Sequence, residues 1–243
     1  MADSRELFVI RYSLSVIPND RLFSVSRRGG CLLFKTEIVL ITWRRFSPVH
    51  LFSMYRYILS CLLIALVVAL PGIYFFQNYW IHRYDALIER QAVIYRLDDK
   101  LVWSLIYEET YFRAWKIGSA DEIGLMQVTP AVAREWAGET GFKEFEKQTA
   151  ENVNEFLRDP ERNIQVGCWY LERTREQYRD LPAETALTLA AYNAGTSRVA
   201  EWTKDTNLNE LSETDFINRI DIPSTRSYVT SILSRYRANQ VKP

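Results

Sequence analysis

An uncharged apolar run from Tyr57 to Phe76 dominates the hydrophobic pattern of the chain. At about 1.5 Å per residue, a helix of this length measures about 30 Å, enough to cross the hydrocarbon core of a bilayer. Core helices are seldom uncharged on every face, so the run predicts a transmembrane helix rather than a buried one. Arg44, Arg45 and Arg56 precede it, and the positive-inside bias then places the C-terminal part outside the cytoplasm.

We interpret residues 54–82 as a signal anchor that is retained in the inner (cytoplasmic) membrane as a single pass. Cleavage as a signal peptide near Ala69 is the alternative, but the apolar run continues to Phe76. The following domain is then expected in the periplasm or another extracytoplasmic space. Residues 1–53 show no sustained period, so we expect a short cytoplasmic tail or an over-extended reading frame whose true start is Met54.

Beyond the membrane segment the apolar spacing is helical. Residues 83–95 are predicted to form a linker or stalk helix, or the first helix of the domain. Asp98 and Asp99 are good N-cap residues for a helix that reaches Glu108. Further helices are predicted near residues 130–138, 150–157, 161–178, 184–193 and 224–238. Since no alternating stretch is long enough to demand a sheet, residues 96–243 are expected to form one mostly α domain.

Charge and composition limit the partners of the chain. Its 243 residues are 48% hydrophobic and 25% charged, which is typical of a globular protein. With 30 basic and 30 acidic side chains, no global basic excess indicates a nucleic-acid partner. Residues 1–56 carry a net charge of +5 and residues 83–243 a net charge of −5, so the two parts are expected to face different environments.

The histidines and cysteines exclude several kinds of site. His50 and His82 are the two histidines of the chain, so residues 83–243 cannot build a Ser-His-Asp triad or a His-ligated zinc site. Cys31, Cys61 and Cys168 show no CxxC spacing and no clear disulfide framework. Carboxylates, hydroxyls and amides must therefore carry any chemistry, and we expect no metal and no cofactor.

Two adjacent glutamates near the end of the helix that follows Asp99 differ in direction. At about 100° per residue, Glu109 falls in the middle of the apolar stripe, whereas Glu108 falls at its edge, toward water. Burial and the negative end of the helix dipole both raise the pKa of a carboxyl such as Glu109, as a general acid at neutral pH requires. The structural alternative is a partly buried glutamate that pairs with an arginine or caps a neighbouring segment.

Five short motifs occur in an order typical of one enzyme family. They are ETYF at 109–112, IGLMQ at 123–127, NI at 163–164 followed by GCWYL at 167–171, AYNAG at 191–195, and TRSYV at 225–229. With eighteen residues from Glu109 to Gln127, this order resembles the catalytic domain of the soluble lytic transglycosylase family, in the lysozyme-like superfamily. The resemblance covers roughly residues 96–238 and implies a mostly α, lysozyme-like (goose-type-like) helical domain.

The resemblance also implies roles for individual residues. Glu109 matches the catalytic acid and base. The residues that match groups around the glycan are Met126, Gln127, Tyr192, Asn193 and Tyr228. Structural roles remain open for these: Met126 can fill a core gap, Asn193 can end a helix, and the tyrosines can be core residues with satisfied hydroxyls.

Three positions depart from the family pattern. Thr110 stands where serine usually follows the glutamate, and it keeps the hydroxyl. Gly118 stands where serine is frequent, which puts the substrate contact at that position in doubt. Ser224 stands where glutamate is common, so a second acidic group is missing and no role is carried over to Ser224.

The activity that the resemblance implies is cleavage of peptidoglycan glycan strands without water. One glutamic acid protonates the glycosidic oxygen between N-acetylmuramic acid and N-acetylglucosamine, and then takes the C6 hydroxyl proton as a 1,6-anhydro ring closes. A goose-type lysozyme-like hydrolase, in which Asp121 or Glu122 positions a water, is one alternative. The others are an inactive peptidoglycan-binding module and a membrane-anchored structural bundle. Among the tryptophans, some are expected to stack on sugars and most to lie in the core: Trp103, Trp115, Trp136, Trp169 and Trp202.

Overall fold

The structure is a computed structural model that describes residues 48–142 and 150–241, which are almost entirely helical. The helices are α1 (Pro48–His82), α2 (Asp85–Ile94), α3 (Asp99–Thr110), α4 (Pro130–Thr140), α5 (Ala150–Arg158), α6 (Pro160–Glu176), α7 (Glu184–Ala194), α8 (Thr196–Trp202), α9 (Glu213–Arg219) and α10 (Pro223–Gln240). Within the described ranges, β pairing is limited to isolated bridges of Ile117 and Val128 with Ile123. The predicted mostly α fold is confirmed.

Helix α1 contains the predicted membrane segment. It runs without interruption past Pro71, and its large apolar side chains from Met54 to Tyr79 are exposed. In the described part of the chain, it is the one helix long and apolar enough to cross a membrane, judged by length and composition. The expectations for residues 1–47 lie outside the described residues.

The segment after α1 belongs to the domain. Helix α2 packs against α3 and α6, and its residues Ile88 and Ala92 are buried in the core. Of the two interpretations of residues 83–95, the structure therefore favours the first helix of the domain over a free stalk.

Two short helices were not predicted. Helices α8 and α9 have seven residues each, too few for the apolar period to show. Gly195 separates α7 from α8. Its φ is 89°, a value that residues with a Cβ rarely adopt. The AYNAG motif therefore ends one helix and begins the next.

Helix α3 lies between α2 and α10, and this position buries its apolar stripe. Its predicted N-cap is present, because the Asp98 side chain accepts a hydrogen bond from the Lys100 backbone N–H. At its other end Tyr111 and Phe112 both have positive φ, 51° and 59°, so the chain turns sharply away from the helix axis. The turn leads into the irregular segment that carries the second motif.

A buried side chain from α6 holds that irregular segment in place. Asn163 accepts a hydrogen bond from the Met126 N–H at 2.8 Å, and it donates to the carbonyls of Ile123 at 2.7 Å and Leu157 at 2.8 Å. All three partners are backbone groups in the interior, where an unpaired group is costly. The second motif is thus fixed relative to α6.

Candidate active site

Glu109 lies in the last turn of α3 with most of its side chain removed from water. Its Oε1 accepts a hydrogen bond of 2.6 Å from the hydroxyl of Tyr228, in α10. Burial raises the pKa of Glu109 from 4.5 to about 7, against the opposing effects of the Tyr228 hydrogen bond and the Lys116 charge. At neutral pH the carboxyl can therefore give up a proton and take one back.

Glu108 does not face water as the helix projection predicted. Its carboxylate pairs with Arg235 of α10 at 3.0 Å, and the two side chains are 26% and 24% exposed. The Arg235 guanidinium also lies over the ring of Tyr107, 4.0 Å from its centroid. Because α10 packs on this edge of α3, Glu108 at the rim of the apolar stripe forms an ion pair with Arg235.

A pocket of about 240 Å³ opens beside Glu109. It is lined by Glu109, Glu122, Gln127, Val128, Thr129, Val132, Tyr170, Tyr192 and Asn193. The structure thus brings together residues from α3, the second motif, α4, α6 and α7. Four of the six predicted site residues line this pocket.

The Gln127 side chain is held by the loop that it belongs to. Its amide nitrogen donates to the carbonyls of Gly124 at 2.9 Å and Lys116 at 3.3 Å. A Cβ added at Gly118 would lie 3.0 Å from Gln127 Oε1 and 2.2 Å from Glu122 Oε2. The glycine at this departure from the family pattern therefore leaves room for the two polar side chains that line the pocket.

Tyr192 and Asn193 are each fixed by a hydrogen bond to another element. The Tyr192 hydroxyl donates to the Met126 carbonyl at 2.8 Å. The buried Thr225 hydroxyl, in α10, donates to Asn193 Oδ1 at 2.8 Å, which sets the orientation of this exposed carboxamide. The end of α7 is thereby tied both to the second motif and to α10.

Comparison with known proteins identifies the family behind this geometry. Residues 86–213 match the Transglycosylase SLT domain, which is more than half of the chain. The chain belongs to this family.

Named relatives and solved structures agree with the assignment. Over 122 residues the chain is 30% identical to membrane-bound lytic murein transglycosylase C of Photorhabdus laumondii, a match that covers 49% of this chain and 33% of the relative. An inactive mutant of the lytic transglycosylase Slt from Pseudomonas aeruginosa superposes with a TM-score of 0.57 at 27% identity, over 68% of this chain and 26% of that one. The 70 kDa soluble lytic transglycosylase of Escherichia coli gives 0.54 at 23% identity, covering 65% and 25%, and shows the fold alone. The chain thus spans a third or less of these longer proteins.

Two of the predicted site residues, Met126 and Tyr228, lie behind the pocket and not on its surface. The Met126 side chain is fully buried, and a Cβ at Gly167 would lie 2.4 Å from its sulfur. The core-filling alternative therefore describes the Met126 side chain, and a role of Met126 at the glycan stays a prediction. Tyr228 is 8% exposed and reaches Glu109 from the interior. It lies beyond the matched range and arrives through the packing of α10 on α3.

Sequence reasoning missed some of the pocket lining. Thr129 is the N-cap of α4 and accepts from the Val132 N–H, so the Thr-Pro pair was the available signal for it. Tyr170 packs against Tyr192 with ring centroids 5.2 Å apart, and the sequence indicates it only as part of the GCWYL motif. For Glu122 the sequence suggests a role only in the hydrolase alternative.

The carbonyls at the C-terminal end of α3 are capped by cationic side chains of the loop that follows. The Lys116 ammonium donates to the Glu109 carbonyl, and Arg113 Nε donates to the Thr110 carbonyl at 2.8 Å. Thr110, which keeps the hydroxyl at this departure from the family pattern, donates from it to the Leu125 carbonyl of the second motif at 3.0 Å. Positive charge here opposes the negative end of the helix dipole.

The next two carbonyls are capped from the end of α1. The Trp80 indole N–H donates to the Tyr111 carbonyl at 2.9 Å, and the Arg83 guanidinium donates to the Phe112 carbonyl. These contacts hold the sharp turn after α3. Helix α3 is therefore fixed at its C-terminal end by residues that follow the uncharged run of α1.

Of the five tryptophans considered for sugar stacking, most lie in the core as expected, and none lines the pocket, so stacking on a sugar there has no support. Trp136, Trp169 and Trp202 are buried, Trp103 is half-buried, and Trp115 is 62% exposed. Among the described residues, no group of three or more His, Cys, Asp or Glu side chains is arranged to hold a metal ion.

Proposed function

We propose that this protein is a membrane-anchored peptidoglycan lytic transglycosylase. It cleaves the β-1,4 bond between N-acetylmuramic acid and N-acetylglucosamine without water and leaves a 1,6-anhydromuramoyl end. The observation that carries the proposal is the Glu109 carboxyl at the wall of a pocket: burial raises its pKa to about 7, and its Oε1 accepts a hydrogen bond from the Tyr228 hydroxyl. The family assignment and the names of the relatives support it.

In the first step the neutral Glu109 donates its proton to the glycosidic oxygen. The bond from this oxygen to C1 of the muramic acid breaks, and the substrate's own 2-acetamido group stabilises the positive charge at C1. Burial favours the protonated starting form. The carboxylate formed by the transfer keeps the Tyr228 hydrogen bond, which stabilises the anion.

In the second step the Glu109 carboxylate takes the proton of the C6 hydroxyl while the C6 oxygen bonds to C1. The proton count closes, because the residue ends as it began. Gln127, Asn193 and Thr129 supply polar groups on the pocket wall that orient the sugars. The paired rings of Tyr170 and Tyr192 supply apolar surface for a sugar face.

A second candidate is hydrolysis, because Glu122 lines the same pocket as Glu109. Inverting glycosidases use two carboxyl groups, one to protonate the leaving group and one to activate a water. Asp121 does not line the pocket, so among the described residues Glu122 fits the second role. The product distinguishes the two reactions.

The proposed location is the inner membrane, with the domain on its outer side. The exposed apolar surface of α1, the arginines before it and the relatives named membrane-bound support this orientation. Residues 54–82 would be the retained anchor and residues 96–243 the catalytic domain, with α2 packed onto it. A reporter fused after Val241 should be active only outside the cytoplasm; activity only in the cytoplasm would reverse the orientation.

The deciding experiment is digestion of purified peptidoglycan by the full-length protein in ¹⁸O-labelled water. A transglycosylase gives unlabelled anhydro ends, since the ring oxygen comes from C6. Label at the muramic acid reducing end would establish the hydrolase instead. If the folded protein forms no product, the binding-module alternative is supported. The Glu109→Gln variant gives the background level of product.

A further inference from the structure

Three large apolar side chains stand exposed together on the loop after the catalytic helix. Outside α1, the exposed large apolar residues within the described ranges are Val93, Ile94, Tyr111, Trp115, Ile117 and Val241. Tyr111, Trp115 and Ile117, which we call the loop patch, are 39%, 62% and 54% exposed. Half of this exposed apolar set thus falls within seven consecutive residues, and a cluster of this kind marks an interaction surface.

The loop patch is continuous with the apolar surface of α1. The rings of Trp80 and Trp115 meet edge to face, with centroids 5.7 Å apart. Tyr111 closes an apolar groove of about 600 Å³ whose other wall is the face of α1 that carries Ile73 and Phe76. Both of these α1 residues belong to the uncharged run. If that run lies in a bilayer, the groove opens into lipid.

Basic residues lie next to the loop patch. Arg113 and Lys116 belong to the same loop, and the Arg83 guanidinium lies over the Trp80 ring, 3.5 Å from its centroid. This positive group stands out because residues 83–243 carry a net charge of −5. Tryptophan and tyrosine beside basic residues are the side chains that lie at the level of lipid headgroups, where the phosphates are anionic.

We propose that the loop patch docks into the headgroup and acyl boundary of the bilayer that α1 crosses, with phospholipid as its occupant. The proposal rests on the proposed membrane anchoring of α1. Docking attaches the domain to the bilayer at a second point, in addition to α1. Since Glu122 and Gln127 follow in the same irregular segment, docking keeps the catalytic pocket close to the membrane surface.

The test uses the full-length protein in liposomes of phosphatidylethanolamine and phosphatidylglycerol. Cys31 and Cys61 are replaced by serine, and the fully buried Cys168 stays out of reach of the label. A nitrobenzoxadiazole label is then attached to Trp115→Cys or Ile117→Cys. Ser197→Cys on α8, also exposed, is the matched control, and a variant that keeps Cys61 reports on α1 itself.

Docking predicts that labels at positions 115 and 117 shift their emission to the blue, are quenched by doxyl lipids and lose quenching by iodide. The label at position 197 should show the opposite. If the Cys61 label is quenched by lipid while positions 115 and 117 behave like position 197, docking is wrong and the anchor stands. If Cys61 is also quenched only by iodide, the anchor and the docking both fail. Protection of the loop patch from both quenchers would mean that protein, such as a second copy of the chain, covers it, and this also overturns the proposal.

Discussion

The hydroxyl of Tyr228 lies 2.6 Å from Oε1 of Glu109, although 119 positions of sequence separate them. Burial raises the pKa of Tyr228 well above its ordinary value, so the hydroxyl stays protonated and donates. The contact brings the final helix of the chain to the carboxyl on which the proposed chemistry depends. It opposes the effect of burial on Glu109 without cancelling it.

Glu109→Gln should abolish activity because an amide keeps the shape of the side chain but cannot give or take the proton. General acid–base catalysis contributes about 10²–10⁴-fold per transfer, and one group here serves both transfers, so a loss at or beyond the upper end is expected. The measurement is the rate of anhydro-product release from peptidoglycan. Glu108→Gln is the matched control: it removes a half-buried ion pair with Arg235, costs about 0–1 kcal/mol of stability and should retain activity.

The pH dependence of kcat/KM should show one falling limb, near pH 7. Glu109 must start protonated, and its pKa is about 7, so activity declines as the pH rises through that value. The base of the second step is created by the first, so no second group has to be ionised beforehand. A bell-shaped profile, with a further limb at low pH, would indicate a separate carboxylate base and favour the hydrolase.

Tyr228→Phe should slow the reaction and move its falling limb to higher pH. The hydroxyl bonds to the charged form of Glu109, so its removal raises the pKa of that carboxyl further. A hydrogen bond to a charged group contributes about 1.5–3 kcal/mol, which corresponds to roughly a 10- to 100-fold loss if the bond is strongest on the anion. Pre-steady-state and pH-dependent rates measure both effects. If the falling limb of the pH profile does not shift, the Tyr228 hydroxyl has only a packing role and does not affect the pKa of Glu109.

Glu109→Gln should stabilise the protein at alkaline pH and leave it unchanged in acid. The folded pKa of Glu109, about 7, exceeds the ordinary value of 4.5, so the native state holds its proton more tightly than the unfolded chain. Stability is therefore lost as the pH rises through this window, on the order of 1–3 kcal/mol above it. Thermal unfolding at pH 4 and pH 8 checks the prediction. Equal melting temperatures of the two proteins at pH 8 would contradict it.

Asn163→Ala should destabilise the fold by about 2–4 kcal/mol and impair catalysis through the second motif. It leaves the buried Met126 N–H and the Ile123 and Leu157 carbonyls without their partner. Denaturant unfolding measures the loss. Gln165→Ala, two residues along the same helix and partly exposed, should change stability by less than about 0.5 kcal/mol.

The sequence predicted side-chain positions best where the apolar period of a single helix decides which residues face the core. The apolar period of α3 alone placed Glu109 among buried neighbours, because every residue involved lies on one helix. Glu108 was misjudged because the period says nothing about α10, which covers that edge and supplies Arg235. Nor could the period show that the Met126 side chain is enclosed, because that depends on the close approach of α6 at Gly167.

The partners of Glu109 could be found only through the motifs. No spacing rule connects Tyr228 with a residue at position 109, because their contact depends on how α10 packs against α3. The capping of the Tyr111 and Phe112 carbonyls by Trp80 and Arg83 gave no sequence signal at all. This capping depends on the tertiary structure around Tyr111 and Phe112, whose backbones adopt the left-handed conformation.

The hydrogen bonds from the end of α1 also decide where the chain can be cut. A soluble fragment that begins at Tyr84 removes the donors to the Tyr111 and Phe112 carbonyls, together with the Ile81 carbonyl that accepts the Trp103 indole N–H at 3.1 Å. A fragment that begins at Gln77 keeps all three bonds and discards the uncharged run. The boundary between the apolar helix and the folded domain therefore lies about one and a half helical turns before the last residue of α1.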